Sequence, residues 1–582
     1  MDAKRAGGML SPARGSFLLT LHSHLPLVLG HGRWPHGSDW LSEVTIGCYL
    51  PLLDQLETLH AQGIRAPVTI NLSPILCEQL AHPSYRPEIE AFLQQRLESV
   101  AENRTHFERA GESALADLTR YWEKVYRHAL DRFNACDGDL VGAFRRLAAA
   151  GAVELITSAA THGYLPLLAR EESIDLQLRV GRATHLRHFG SAPRGVWLPE
   201  CGYRPRYEWT PPAGPFKGRI RRRRRGIEEF LAAHGLGFFV TDAHLLRGGE
   251  PLSPYRRDYY PALRAVGAGA EHPVYHRDRS PYRPYVVASR GGSGDAVAFS
   301  RDPVTTLQVW SREAGYPGEG SYLEFHKKHF PGGIRYWRVT DSKSDLGTKQ
   351  VYDPDAAMAR AHAHAVHFVR LVAGALSAES ARSSQPVAAC NPFDTELFGH
   401  WWFEGPEFIR EVLMRLPQEG VAVETLGSYL DQHRPSEAIT LLEGSWGEGG
   451  DHRVWLNHDT EWTWDMAYSA EEEFWTLASG VPWAHRPFLE RALAQMAREL
   501  LLLQASDWPF LITTWAARNY AETRFAEHYA HFTRLAQVFR RAAEGQEPQG
   551  DDEAFLRERE AQDFAFPDIL QHVRASCGVR SL

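Results

Sequence analysis

The sequence predicts an α/β fold: an incomplete barrel of seven parallel strands, with a helical insertion and a C-terminal helical domain. Three observations carry this prediction. Seven short apolar runs recur between Ser16 and Asp394, helix-patterned stretches separate them, and each run ends in a polar or charged residue. Strands alternating with helices imply a parallel sheet or barrel. No G-x-G-x-x-G or P-loop follows any run, which favours a barrel over an open nucleotide-binding sheet.

The runs follow in order. SFLLTL (16–21) leads into His22 and His24, PVTINL (67–72) into Ser73, and VELIT (153–157) into Ser158 with His162 just beyond. GVWL (195–198) leads into Glu200, GFFVT (237–241) into Asp242 and His244, VAFS (297–300) into Arg301 and Asp302, and VAAC (387–390) into Asn391 and Asp394. Helical periodicity covers 41–62, 174–189, 227–234 and 355–376. Residues 75–150 are charged and helix-patterned with no strand, and read as an insertion in a barrel unit spanning 1–420. Beyond, a Trp- and Gly-rich loop (445–464) leads into helical stretches at 488–504 and 516–543, a C-terminal unit spanning 421–545. The polar tail, 546–582, reads as loose. The irregular stretches 248–294 and 315–349 have the length of functional lids.

Composition narrows the function classes. Among 582 residues, 64 are basic and 72 acidic, for a net charge of −8, which argues against duplex nucleic acid as a partner. The basic run 219–225 reads as a solvated loop before a helix starting near Gly226. Six cysteines without a CxxC pair fit a reducing, cytoplasmic setting. The early apolar run 17–29 contains His22, His24 and Pro26, unlike a signal peptide, and no uncharged apolar stretch is long enough for a membrane span. There are 17 Trp, many in polar, Gly-rich surroundings. Aromatic faces pack against the C–H faces of sugars, and equally against a protein core.

The residues that carry chemistry sit at strand ends, where barrels gather reactive groups. Glu200 and Asp394 end facing strands. Two carboxyls about 5–5.5 Å apart give glycoside cleavage with retention through a covalent intermediate. Both also fit structural strand-end roles. His22 and His24 form H-x-H after the first strand, and three readings stay open: metal ligands completed by His162, His244 or Asp394, donors to sugar hydroxyls, or packing residues. Trp34, Trp40, Trp310, Trp446, Trp455 and Trp508 lie beside strand ends or Gly-rich turns as candidate stacking faces or core residues.

Five segments in order resemble glycoside hydrolase family 57. They are HSHLP (22–26) with GRWP (32–35) and Trp40 behind it, THGYLP (161–166), WLPECGY (197–203), NPFDTELFGHWW (391–402) and SDWPF (506–510). The resemblance covers nearly the whole chain. It implies a (β/α)7 barrel with a helical insertion and a C-terminal helical domain closing the cleft. It implies Glu200 as nucleophile and Asp394 as acid/base, with His22, His24 and His162 lining the donor site and Asp507 reaching in from the helical domain. It also implies work without a metal or cofactor.

Within the family the branching-enzyme group is most similar, through WGEGG (446–450) followed by Trp455, QVWS (308–311) and GYPG (315–318). That resemblance implies that Trp40, Trp310, Trp446 and Trp455 place an acceptor α-1,4-glucan such as amylose or glycogen. Trp34, Trp402 and Trp508 are further substrate-binding candidates. It also implies a mobile loop bearing a Tyr within 271–295, with Tyr275, Tyr282 and Tyr285 as candidates. The expected activity is 1,4-α-glucan branching. The alternatives are a 4-α-glucanotransferase or α-amylase of the same family and, from another class, a metal-dependent hydrolase or deacetylase.

Overall fold

A computed structural model describes residues 14–578 apart from 66, 215–216, 219–220, 250, 252–261, 264–276, 290, 292–293, 312–314 and 342. Seven strands form the barrel: β1 (Ser16–Ser23), β2 (Val68–Leu72), β3 (Val153–Ser158), β4 (Gly195–Trp197), β5 (Phe238–Thr241), β6 (Val297–Ser300) and β7 (Ala388–Asp394). Their order around the sheet is β7-β1-β2-β3-β4-β5-β6, and every neighbouring pair is parallel. A single parallel bridge between Arg301 and Cys390 joins β6 back to β7, with the Asp302 amide donating to the Cys390 carbonyl at 2.8 Å. The seven runs read from sequence are these seven strands. They are buried on both faces, as parallel strands wrapped by helices must be.

Register decides what meets at the open end. On one side of β1, His22 pairs with Asp394 of β7; on the other it pairs with Asn71 of β2. The carboxyl-terminal ends of three strands therefore bring His22, Asn71 and Asp394 together before any loop geometry is considered.

Four helices, Pro74–Leu80, Tyr85–Ala110, Ser113–Ala135 and Leu140–Ala149, lie between β2 and β3 in the chain. Asp139 caps the last of them, accepting from the Gly142 amide at 2.7 Å. The sheet extends past residue 420. Ala422–Val423 pairs with β1, and Ala438–Ile439 pairs with the short strand Tyr285–Val287 beside β6. These pairs are too short to show a period of two in the sequence.

The C-terminal region is helical over Glu461–Gly480, Pro487–Leu503, Asp507–Thr514 and Arg518–Ala543. The expectation of a loose polar tail is corrected by two further helices, Gly550–Gln562 and Ile569–Ser576. Leu556, Phe566, Ile569 and Val573 bury themselves against the core, and Asp563 bonds His31 at 2.8 Å. Few but well-spaced apolar residues anchor this amphipathic tail. No described helix is long and apolar enough to cross a membrane.

The basic run is likewise not a solvated loop. Arg222–Arg224 pairs antiparallel with Tyr207–Trp209, and the buried Arg224 stacks 4.4 Å over the Trp209 ring. Burial pulls the Arg224 guanidinium down to about 9.

Candidate active site

Glu200 leaves β4 through Leu198 and Pro199 and takes a left-handed backbone, φ 58 and ψ 24; Cys201 follows at φ 49. Two consecutive non-glycine residues with positive φ are costly, and such strain clusters where a side chain must be aimed. His162, beyond β3, is held the same way at φ 58. The Glu200 carboxylate is buried and gripped from two other elements. The Trp446 indole Nε1 donates to Oε2 at 2.8 Å, and the Ser506 hydroxyl donates to Oε1 at 3.1 Å. Burial pushes its carboxyl up to about 7, the nearby Asp507 adds to the rise, and the Trp446 and Ser506 hydrogen bonds oppose it.

An imidazole stack forms the floor. His22 lies on Trp197 with ring centroids 4.6 Å apart and planes 5° from parallel, and His162 stacks on both His22 (4.8 Å) and His24 (4.2 Å). Strand-end residues fix two of the rings and the helical domain fixes the third. His22 Nδ1 bonds Asn71 Oδ1 at 2.7 Å, His24 Nδ1 bonds Ser73 Oγ at 2.9 Å, and His162 Nδ1 bonds Ser506 Oγ at 2.8 Å. Burial pulls His22 and His162 well below the usual imidazole range, with His24 adding to both, so these rings are neutral. From the helical domain, Asp507 Oδ2 reaches His24 Nε2 at 3.0 Å.

Asp394 ends β7 beside His22. The buried Cys201 thiol registers both carboxylates: burial raises it, and Asp242, Glu200 and Asp394 add to the rise while Arg301 opposes it. Deeper in the same end, Arg301 pairs with Asp242, both buried. A third carboxyl, Glu396, accepts from the Tyr49 hydroxyl at 2.6 Å and the His24 amide at 3.1 Å, and burial pushes it up to about 7.

Of the sequence candidates, Glu200, Asp394, His22, His24, His162, Trp446 and Asp507 thus lie together. Trp446 grips the carboxylate rather than lying open as a platform. Trp40 and Trp310 are half-buried, and Trp34 is 73% exposed. The three remaining candidate tryptophans lie in the core. Trp402 is packed among Tyr322, Phe398 and Phe408, Trp455 stacks on Tyr164 at 4.5 Å, and Trp508 is enclosed with its Nε1 donating to the Leu502 carbonyl at 2.8 Å. None of these three offers a ring face to a sugar. Their flanking glycines and prolines serve close packing; Gly447, for instance, approaches the Trp455 ring so closely that a Cβ would sit 2.7 Å from it. Tyr282 and Tyr285 are not at a loop tip: Tyr282 donates to buried Asp302 at 2.9 Å, and Tyr285 is buried in its short strand. Tyr275 lies outside the described residues. His244, a candidate metal ligand, bonds the Gly450 carbonyl at 3.1 Å.

Ser506, Asn71 and Ser73 were missed as site residues. The strand-end rule that selected Glu200 would have selected Asn71 and Ser73 as well. Nothing in the sequence pairs Ser506 with Glu200, 306 residues away.

Among the described residues three clusters bring ligand-type atoms within 4.8 Å of one another: His24, His162 and Asp507 in the site, Glu499, His528, His531 and Asp563 in the helical domain, and His362, Glu407 and Glu411 away from both. In the second, Arg524 and Arg559 approach the Nε2 atoms of His528 and His531 at 2.9 and 3.5 Å, so its charges are already balanced.

The family model for glycosyl hydrolase family 57 matches residues 18–442, and a model for the C-terminal domain of 1,4-alpha-glucan branching enzymes matches 466–573. The chain belongs to glycosyl hydrolase family 57. Within the family it is 41% identical over 524 residues to a 1,4-alpha-glucan branching enzyme of Thermococcus kodakarensis, covering 90% of this chain and 73% of the relative. It is 31% identical to a probable 1,4-alpha-glucan branching enzyme of Mycobacterium tuberculosis, covering 90% and 92%. Among solved structures, the branching enzyme of Pyrococcus horikoshii superposes with a TM-score of 0.86 at 37% identity, covering 98% of each chain. An α-amylase of Thermotoga maritima superposes with a TM-score of 0.76 at 26% identity, covering 96% and 99%.

Proposed function

We propose that this chain is a retaining 1,4-α-glucan branching enzyme, with Glu200 as nucleophile and Asp394 as acid/base. The observation that carries the chemistry is the Glu200 carboxylate, buried, strained into place and held by Trp446 and Ser506 beside the strand pair that ends in His22 and Asp394. The branching reaction is supported by the 41% identity to the Thermococcus kodakarensis enzyme.

In the proposed reaction Asp394 gives its proton to the glycosidic oxygen while Glu200 attacks the anomeric carbon. The donor chain becomes an ester of Glu200, and the freed chain leaves with a new 4-hydroxyl. A second chain then presents a 6-hydroxyl; Asp394 removes its proton, the oxygen attacks the anomeric carbon, and Glu200 departs as carboxylate. Two displacements return the α configuration, and one α-1,4 bond is exchanged for one α-1,6 bond. The stacked His22 and His162 rings, kept neutral by burial, suit sugar hydroxyls, which need donors and acceptors without net charge. Trp40, Trp310 and the exposed Trp34 are the acceptor-side faces that remain open. The same reading places the enzyme in the cytoplasm, in keeping with its six free thiols.

A second reading is hydrolysis, favoured by the superposition on the Thermotoga maritima α-amylase. Water would then replace the 6-hydroxyl. The test of the site is trapping: a 5-fluoro glucosyl fluoride should leave a covalent sugar on the peptide carrying Glu200. A label on any other carboxylate, or none in an active preparation, would overturn the assignment.

A further inference from the structure

The helix Asp507–Thr514 starts in the active site, where Asp507 meets His24, and ends at Trp515. Eight residues at a rise of about 1.5 Å each place Trp515 about 12 Å along the helix from the catalytic centre. Its backbone is left-handed, φ 59 and ψ 16, a conformation that costs a residue with a Cβ roughly 1–2 kcal/mol and that glycine takes freely. Its indole is 62% exposed. Burial therefore gains little at this position and the backbone opposes any large side chain, yet the largest one stands there.

The surroundings suit a carbohydrate. The Arg518 guanidinium lies 4.8 Å from the Trp515 ring centroid and is held by Glu522 at 2.8 Å and Asp459 at 3.4 Å. A cation on the ring and carboxylates beside it are the usual partners of sugar hydroxyls. Asp459 belongs to the Gly-rich loop that carries Trp446. On the other flank, Tyr520, two residues beyond Arg518, lies 5.3 Å from His36, which lies 6.0 Å from Trp40. Aromatic contacts thus lead from the barrel's first loop through His36 to Tyr520 on the helix Arg518–Ala543, which follows Trp515 in the chain.

We propose that Trp515 is a remote glucan-binding platform, where a segment of an α-glucan chain several units from the cleaved bond stacks on the indole. This rests on the α-glucan reading of the site. Long chains would reach both the platform and the catalytic centre, whereas short ones would reach only the centre.

The test compares the full-length wild type with Trp515→Gly, which removes the ring and relieves the backbone, so its melting temperature should not fall. Retardation in native gels containing amylose measures binding without catalysis. Activity on long amylose and on maltotriose, which is too short to span the distance from the catalytic centre to Trp515, measures the difference in reach. A ring–sugar contact worth what an aromatic pair is worth should raise KM for long amylose about three- to tenfold, leave kcat unchanged and spare the short chains. Gel mobility should also become less retarded. Equal retardation and equal KM for both chain lengths would overturn the proposal. If the wild type rearranges no glucan, the reading of the catalytic site fails, while the gel comparison still decides whether Trp515 binds one.

Discussion

Trp446→Phe keeps an aromatic ring against Trp197 but deletes the N–H that donates to Glu200 Oε2 at 2.8 Å. The free carboxyl sits at about 7 because burial raises it and this hydrogen bond opposes the rise. A hydrogen bond to a charged group contributes about 1.5–3 kcal/mol, so its loss should raise the Glu200 pKa by about 1–2 units. Only the ionised form attacks, and kcat/KM reports the free enzyme. The acid limb of the kcat/KM profile on amylose should therefore start near pH 7 in the wild type and move up by about 1–2 pH units in the variant. At pH 7 the ionised fraction, and with it the rate, should fall about 5- to 50-fold, with recovery towards alkaline pH. The assay is loss of iodine stain across pH, with the melting temperature as a check on folding. A uniform loss at every pH, with the limb unmoved, would refute the reasoning.

Further predictions follow from the same structure. Glu200→Gln should abolish transfer by several powers of ten and make the protein more stable above neutrality. The folded pKa lies above the ordinary 4.5, so the ionised group costs nothing below pH 4.5, increasingly more up to pH 7, and about 3 kcal/mol beyond. Thermal melts at pH 4 and pH 8 check this, and equal gains at both would contradict it. Asp507→Ala removes the bond to His24 at 3.0 Å and should lower kcat/KM about 10- to 100-fold with little change in stability, measured by initial rates and calorimetry. Trp402→Ala should cost about 3–5 kcal/mol in denaturant unfolding, because the ring is core, while Trp402→Phe should keep near-normal KM.

The fold was largely legible because each barrel strand is a short apolar run ending in a polar residue. That pattern located all seven strands and put Glu200, His22, His24, His162 and Asp394 at or just beyond their ends, while the family resemblance assigned their roles. The helices at 38–61, 171–189 and 354–380 match their periodicity closely. What was not legible has physical causes. A tryptophan beside glycines reads the same whether the glycines expose the ring or let the backbone close on it; Trp455 is the second case. Ser506 meets Glu200 only through tertiary packing. Tyr282 and Tyr285 lie in a stretch whose length suggested a lid, yet Asp302 and a two-residue strand pairing hold them in the wall. The tail folds because burial of Leu556, Ala565, Phe566, Ile569 and Val573 outweighs a polar composition.

The most direct test of the account is product linkage. Incubated with amylose and followed by proton NMR with a reducing-end assay alongside, the protein should generate α-1,6 signals with few new reducing ends. Reducing ends without branches, or redistributed chain lengths with only α-1,4 linkages, would contradict the branching assignment.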